Sequence, residues 1–400
     1  MATAAAPSGL MAASSRNGAW PRYGAVRPLG VVESVALALW CAFFLLSPVY
    51  LIPSGFPQLA DWVIVALLPI LFIQSGLRLP KQAVPIVNAV SVFMLYAVVV
   101  NLVWTALLSD AGLVRYPSFF AFNFAVCIVF ASLYQNYRRR VLDWTAAALC
   151  ASILIQMVAV TLEVSSSGRA RAAGLFNNPN QAGYHALLCA SLFWVWSESV
   201  RVPRALAGWL PLCVYGGAAY LTAMSLSRAA VASVAILMLL AGLRSRFVLV
   251  AGLLVAGILA VAPAEWNRVE RFQSRIEKKS RGAYEEAMSR GYDRMLNHPQ
   301  YLVFGAAEGA QYRIHSIRPA EMHSSLGTVL FCYGAVGLVL FLYIFFVLAR
   351  GCGVSSLRYL LPVAVFGLTH MGLRQSEFWI LPIMVACLQW PEKEPSTRQS

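Results

Sequence analysis

Apolar runs of about 20 residues, separated by short polar connections, recur along the whole 400-residue chain. A helix rises 1.5 Å per residue, so about 20 residues cross a hydrocarbon layer roughly 30 Å thick. Within that layer every backbone N–H and C=O must be paired inside the protein, which restricts such runs to helices. The runs fall at 31–52, 59–76, 86–108, 118–135, 142–163, 181–198, 205–223, 229–243, 247–265, 325–349, 358–373 and 377–390. The expected architecture is therefore an all-α polytopic membrane protein with about twelve transmembrane helices. Charged residues make up only 12% of the chain, about half of what a soluble domain carries.

The connections set an orientation. With the N-terminus in the cytoplasm, alternate short connections carry Arg78 and Lys81, then Arg138, Arg139 and Arg140, then Arg201 and Arg204. Arg244 and Arg246, Arg350 and Arg358, and finally Lys393 and Arg398 continue the series. Basic residues concentrate on the cytoplasmic side of membrane proteins. The formal charge of +14 follows from that rule and does not point to nucleic acid.

Segment 266–324 is the one long extramembrane stretch, and long segments are translocated regardless of charge. It is expected to form a partly helical periplasmic cap. Within it, "SRGAYEEAMSRGYDRML" reads as a helix with Tyr284, Met288 and Met295 on one face, followed by a turn and loop at "NHPQYLVFGAAEG". Residues 1–30 and 391–400 read as cytoplasmic tails, the first without a secretory cleavage pattern. The eight cysteines lie almost entirely within apolar runs and form no CxxC pair, so they read as small apolar fillers.

The polar residues of the outer face carry the chemistry. "GLFNNPNQAGYH" opens the run at 181–198, with Arg169 and Arg171 just before it. Arg228 precedes an apolar helix, Arg281, Arg290 and Arg294 lie in the long segment, and His323 opens the run at 325–349. His370 and Arg374 stand between the last two runs. Ionisable groups in or near the bilayer are costly and are functional candidates by default. Each also has a structural reading. Asn177, Asn178 and Asn180 suit helix capping around Pro179, His323 suits a helix start, and the arginines of the long segment suit a solvated face. No P-loop, HExxH motif, DxD pair or GxSxG elbow is present. Arginines, amides and a histidine instead fit an anionic substrate handled without a metal or other cofactor: Arg for a diphosphate, amides for sugar hydroxyls, His for a proton.

Three elements, in order, resemble the O-antigen ligase and polymerase superfamily. "RAAGLFNNPNQAGYHALL" is similar to its R-x-x-G-x-F-x-N-P-N signature, "LTAMSLSRAAVAS" to its SR helix start, and "EMHSSLGTVLFCYGAVGLVLFL" to its His-containing element. The similarity spans about 150–350, with Ser324 standing where the family commonly has Asn. The resemblance implies an inverting glycosyltransferase of the bacterial inner membrane with a periplasmic site. Its donor would be an undecaprenyl-diphosphate-linked glycan, with an acceptor glycan, membrane lipid and a chain-length regulator protein as further partners. His323 would be the catalytic base; Arg171, Asn178, Asn180, Arg228, Arg281, Arg290, His370 and Arg374 would bind substrate. Polymerisation of repeat units is the leading expectation. Transfer of the finished glycan to lipid A core or protein is the alternative within the family, and a secondary transporter or flippase the alternative outside it.

Two geometric expectations are specific. Arg281 and Arg290 lie nine residues apart, about 13–14 Å on one helix. They cannot share a phosphate unless the helix breaks, and Arg290, beside Gly291, is the one expected to matter. His370 and Arg374, four residues apart, would share one face of a continuous helix, with Arg374 either anchoring Glu377 or forming a site wall opposite Arg228.

Overall fold

A computed structural model describes residues 28–52, 56–162, 171–200, 208–243, 248, 252, 282–316 and 321–391. The described residues form helices and no strands: α1 (Val31–Leu46), α2 (Leu59–Ser75), α3 (Val84–Leu108), α4 (Arg115–Tyr137), α5 (Arg139–Thr161), α6 (Pro179–Ser199), α7 (Trp209–Met224) and α8 (Arg228–Gly242). Two short helices follow, α9 (Ala283–Ser289) and α10 (Asp293–Asn297), and then α11 (Ser325–Cys352), α12 (Leu361–Thr369) and α13 (Ser376–Gln389). Among the described residues, four segments are long and apolar enough to cross a membrane: α3, α5, α11, and α4 together with the turn that leads into it. Helices α1, α2, α8 and α13 are apolar but shorter. Among the described residues the fold is all-helical, with several helices able to span a membrane, as a multi-pass membrane protein requires. The run at 358–373 is divided between a 3₁₀ turn, Val354–Tyr359, and the nine-residue α12. Most of the run at 247–265 lies outside the described residues.

The described basic connections gather at one end of the bundle. Arg140 pairs with Glu33 at 2.7 Å, and Arg358 pairs with Glu198. Asn136 donates to Ser75 at 2.9 Å, and Trp196 donates to Asp143 at 3.0 Å. These contacts join the ends of α1, α2, α4, α5 and α6, as alternating connections require.

Helix α11 is interrupted. Gly334 has φ 67 and ψ −173 inside it, and residues 302–307 dock into the break. Ala306 and Ala307 donate to the carbonyls of Phe331 and Cys332 at 2.9 and 2.8 Å, and Ala335 donates to Leu302 at 2.7 Å. The docked loop thereby satisfies backbone groups that the kink releases, the condition for a broken helix in a membrane protein. The approach requires glycine on both sides, because a Cβ on Gly305 or Gly334 would stand 2.2 Å from a carbonyl oxygen. This docking holds Glu308 against the bundle. Its backbone N–H donates to Asn101 Oδ1 at 3.0 Å, and Tyr333 donates to its carboxylate at 2.6 Å.

The expected helix over "SRGAYEEAMSRGYDRML" is two helices rather than one. The chain leaves α9 at Arg290, and Gly291 adopts φ 91, a left-handed conformation that ends a helix and that glycine adopts at little cost.

Candidate functional site

The loop that leads into α6 is built by local chemistry. Gly174 sits at φ 60, where a Cβ would come 2.4 Å from Gln156 Oε1. That same oxygen accepts from Leu175 N at 3.2 Å, which ties the loop to α5. Asn178 caps α6 by accepting from Asn180 N at 2.8 Å, and Pro179 takes the first helical position, where a missing N–H costs nothing. Arg171 reaches across, donating to Asn180 Oδ1 at 2.6 Å and to Ser225 O at 2.8 Å. The capping reading of Asn178 therefore holds, and Asn180 is an arginine partner that faces the same cavity. Gly174→Ala is expected to lower stability by at least about 1–2 kcal/mol from the left-handed backbone alone. Loss of thermal midpoint in detergent measures it; an unchanged midpoint contradicts the loop geometry.

A cavity of about 460 Å³ opens beside this loop, and Asn178, Asn180, His323, His370 and Arg374 all line it. The elements that supply them are distant in sequence: the start of α6, the turn before α11, and the connection between α12 and α13. Arg290 contributes by holding two of these turns. Its side chain donates to Thr369 O, and its carbonyl accepts from His323 N at 3.1 Å.

His323 Nδ1 lies 3.1 Å from Glu321 O. A carbonyl only accepts, so this contact places the ring proton on Nδ1 and makes Nε2 the lone-pair nitrogen, the tautomer a general base needs. Ser324, buried, caps α11 by accepting from Gly327 N at 3.1 Å, and Tyr292 donates to it at 2.8 Å. Ser324 is thus spent on helix capping. The histidine is oriented instead by the Glu321 carbonyl.

His370 stacks on Phe366 at 4.8 Å, and its Nδ1 contacts Thr369 Oγ1 at 3.0 Å. Burial first, and then the neighbouring basic groups Arg290, His323 and Arg171, push it down to about 4. It is neutral at pH 7. Its folded value lies below the ordinary 6.5, so its contribution to stability is complete above about pH 6.5 and is lost as pH falls towards 4. His370→Gln is expected to flatten the pH dependence of the thermal midpoint across that window. A profile identical to that of the unaltered protein contradicts the burial of a neutral imidazole there.

Arg374 differs from the geometry expected of it. Helix α12 ends at Thr369, His370 is extended (φ −140, ψ 150), and α13 begins at Ser376. His370 and Arg374 therefore stand on a loop and share no helical face. Nor does Arg374 anchor Glu377. Its guanidinium pairs with Glu308 at 2.5 Å and with both oxygens of Glu321, at 2.9 and 3.0 Å, and stacks over Phe119 and Tyr116. Burial opposes its charge, but Glu308 and then Glu321 outweigh that and hold it above the ordinary arginine range. Arg374 is thus a neutralised wall of the cavity that joins the docked loop to the α12–α13 connection.

Arg228 opens α8 half-buried, and the described cavity lining does not include it. Arg281 and Arg169 lie outside the described residues.

Sequence reasoning passed over two groups of residues. Asp61, Gln58, Tyr50 and Ser47 also line the cavity. Behind Ser47 lies a buried pair: Glu377 Oε1 is 3.3 Å from His185 Nδ1, with side chains 1% and 0% exposed. Ser47 donates to the same carboxylate oxygen at 2.7 Å, and Ser152 Oγ lies 3.0 Å from His185 Nε2. The available signal was an imidazole in the apolar stretch "GYHALLCASLFW", since an ionisable residue there calls for a partner.

No protein-family model matches the chain, and no curated protein matches it in sequence.

Proposed function

We propose that the protein is a membrane-embedded, inverting glycosyltransferase with about twelve spans. It polymerises undecaprenyl-diphosphate-linked oligosaccharide repeats of O-antigen or exopolysaccharide at the periplasmic face of the inner membrane. The observation that supports this reading is the meeting of Asn178, Asn180, His323, His370 and Arg374 on one cavity, with Arg171 and Arg290 hydrogen-bonded into its walls. In the reaction, an acceptor hydroxyl oxygen attacks the anomeric carbon from the face opposite the diphosphate. His323 Nε2 takes the hydroxyl proton, the carbon–oxygen bond to the diphosphate breaks, and the diphosphate leaves with the bonding pair. The positive charges of Arg290 and Arg171 stabilise the charge that grows on it.

The transporter reading has one observation in its favour, the His185–Glu377 pair, because buried ionisable pairs in membrane bundles also serve proton relays. Purified protein incubated in detergent with a lipid-diphosphate-linked oligosaccharide separates the two. Elongated lipid-linked product without any gradient is the expected result. Absence of elongation, together with substrate translocation in sealed vesicles, overturns the proposal. Addition of lipid A core to the same reaction distinguishes a ligase.

A further inference from the structure

The cavity lining divides into two chemical regions. On one side the basic groups gather around His370: Arg290 donates to Thr369 O and its carbonyl accepts from His323 N, and Arg171 donates to Asn180. On the other side, near Tyr50, stand the carboxylates of Asp61, which accepts from Gln58 N, and Glu377, which accepts from Ser47, with Gln375 within hydrogen-bonding reach of the Tyr50 hydroxyl. Asp61 in turn feels the charge of Glu377. One region therefore suits an anion and the other repels it.

The carboxylate region is also rich in acceptors. Gln58 N donates to Asp61 Oδ2 at 2.7 Å, which leaves Oδ1 for a ligand. The Ser47 proton is committed to Glu377 at 2.7 Å, and His185 backs that carboxylate, so Ser47 turns its lone pairs to the cavity. The rings of Tyr50 and Phe56 stand in the same lining. Acceptor atoms beside aromatic rings match a molecule that donates many hydroxyl protons and also presents apolar C–H faces, which describes an uncharged sugar.

Resting on the glycosyltransferase reading of the cavity, we propose that Asp61, Ser47 and Tyr50 form the acceptor-sugar subsite, and that their acceptor-rich, carboxylate-bearing surface excludes the donor's diphosphate. The donor then binds in one orientation only, its diphosphate towards His370 and Arg290 and the acceptor hydroxyls towards Asp61. Asp61 is a substrate-contacting residue in this arrangement, and Glu377 with His185 positions Ser47.

Binding tests the subsite separately from turnover. The full-length protein in detergent is titrated with two probes: the lipid-diphosphate-linked oligosaccharide, and the same repeat oligosaccharide after mild acid has removed its diphosphate. Asp61→Asn keeps an oxygen to cap Gln58 N but loses the charge. Charge-assisted hydrogen bonds are about twice as strong as neutral ones, so this variant is expected to weaken the free oligosaccharide about tenfold and to leave donor affinity unchanged. Ser47→Ala should act in the same direction with a smaller factor, and Arg290→Ala should weaken the donor alone. Unchanged oligosaccharide affinity in both Asp61→Asn and Ser47→Ala overturns the subsite, as does equal weakening of both probes. No binding of the free oligosaccharide by the unaltered protein overturns it too. Binding of the oligosaccharide without any binding of the lipid-linked donor would instead defeat the glycosyltransferase reading while leaving a sugar subsite in place. Should Asp61→Asn fail to fold, Ser47→Ala decides the matter.

Discussion

On the proposed glycosyltransferase reading, a His323→Ala protein is expected to fold, insert and lose about 10²- to 10⁴-fold in elongation rate, the usual loss on removing a positioned general base. The side chain of His323 is not a structural cap: Ser324 caps α11, and the backbone N–H of His323, which substitution leaves intact, bonds to Arg290 O. Alanine therefore removes the imidazole and leaves both of these contacts in place. Substrate affinity should change far less than kcat, since proton transfer occurs in the transition state. Elongation by folded His323→Ala protein at the unaltered rate would remove His323 from the chemistry. Loss of expression or of thermal midpoint would show instead that the ring serves the turn before α11.

Replacing Glu377 by methionine, or His185 by leucine, is expected to destabilise the protein by about 3–5 kcal/mol, because each leaves the other group buried without its partner. Both side chains are almost fully enclosed, at 1% and 0% exposure, so water cannot compensate. The double variant is expected to recover much of the loss, since an apolar pair of similar volume replaces a buried ion pair at little net cost. Thermal unfolding in detergent gives the comparison. Additive losses in the double variant would mean that the two residues act through separate contacts, Glu377 through Ser47 and His185 through Ser152.

The class of the protein is legible along the chain because a membrane constrains sequence locally. An apolar run of about 20 residues has one stable form in hydrocarbon, and the alternating basic connections reappear as one end of the bundle. Local chemistry at the site was equally readable. Pro179 and Asn178 start α6 as their types require, whereas the break at Gly291, read in the sequence as helix interior, emerged only in the structure.

Pairings between distant residues were not legible. Nothing near Arg374 in the sequence indicates that it meets Glu308 and Glu321. That contact depends on residues 302–307 docking into the break at Gly334, which brings together positions 66 residues apart. The two-region lining of the cavity and the His185–Glu377 pair arise in the same way. Periodicity and capping are properties of neighbours in the chain and are written in its order. Which buried charge meets which is decided by the packing of α1, α6 and α13 and by the loops between them, because a charge removed from water is stabilised by whichever partner the fold carries to it.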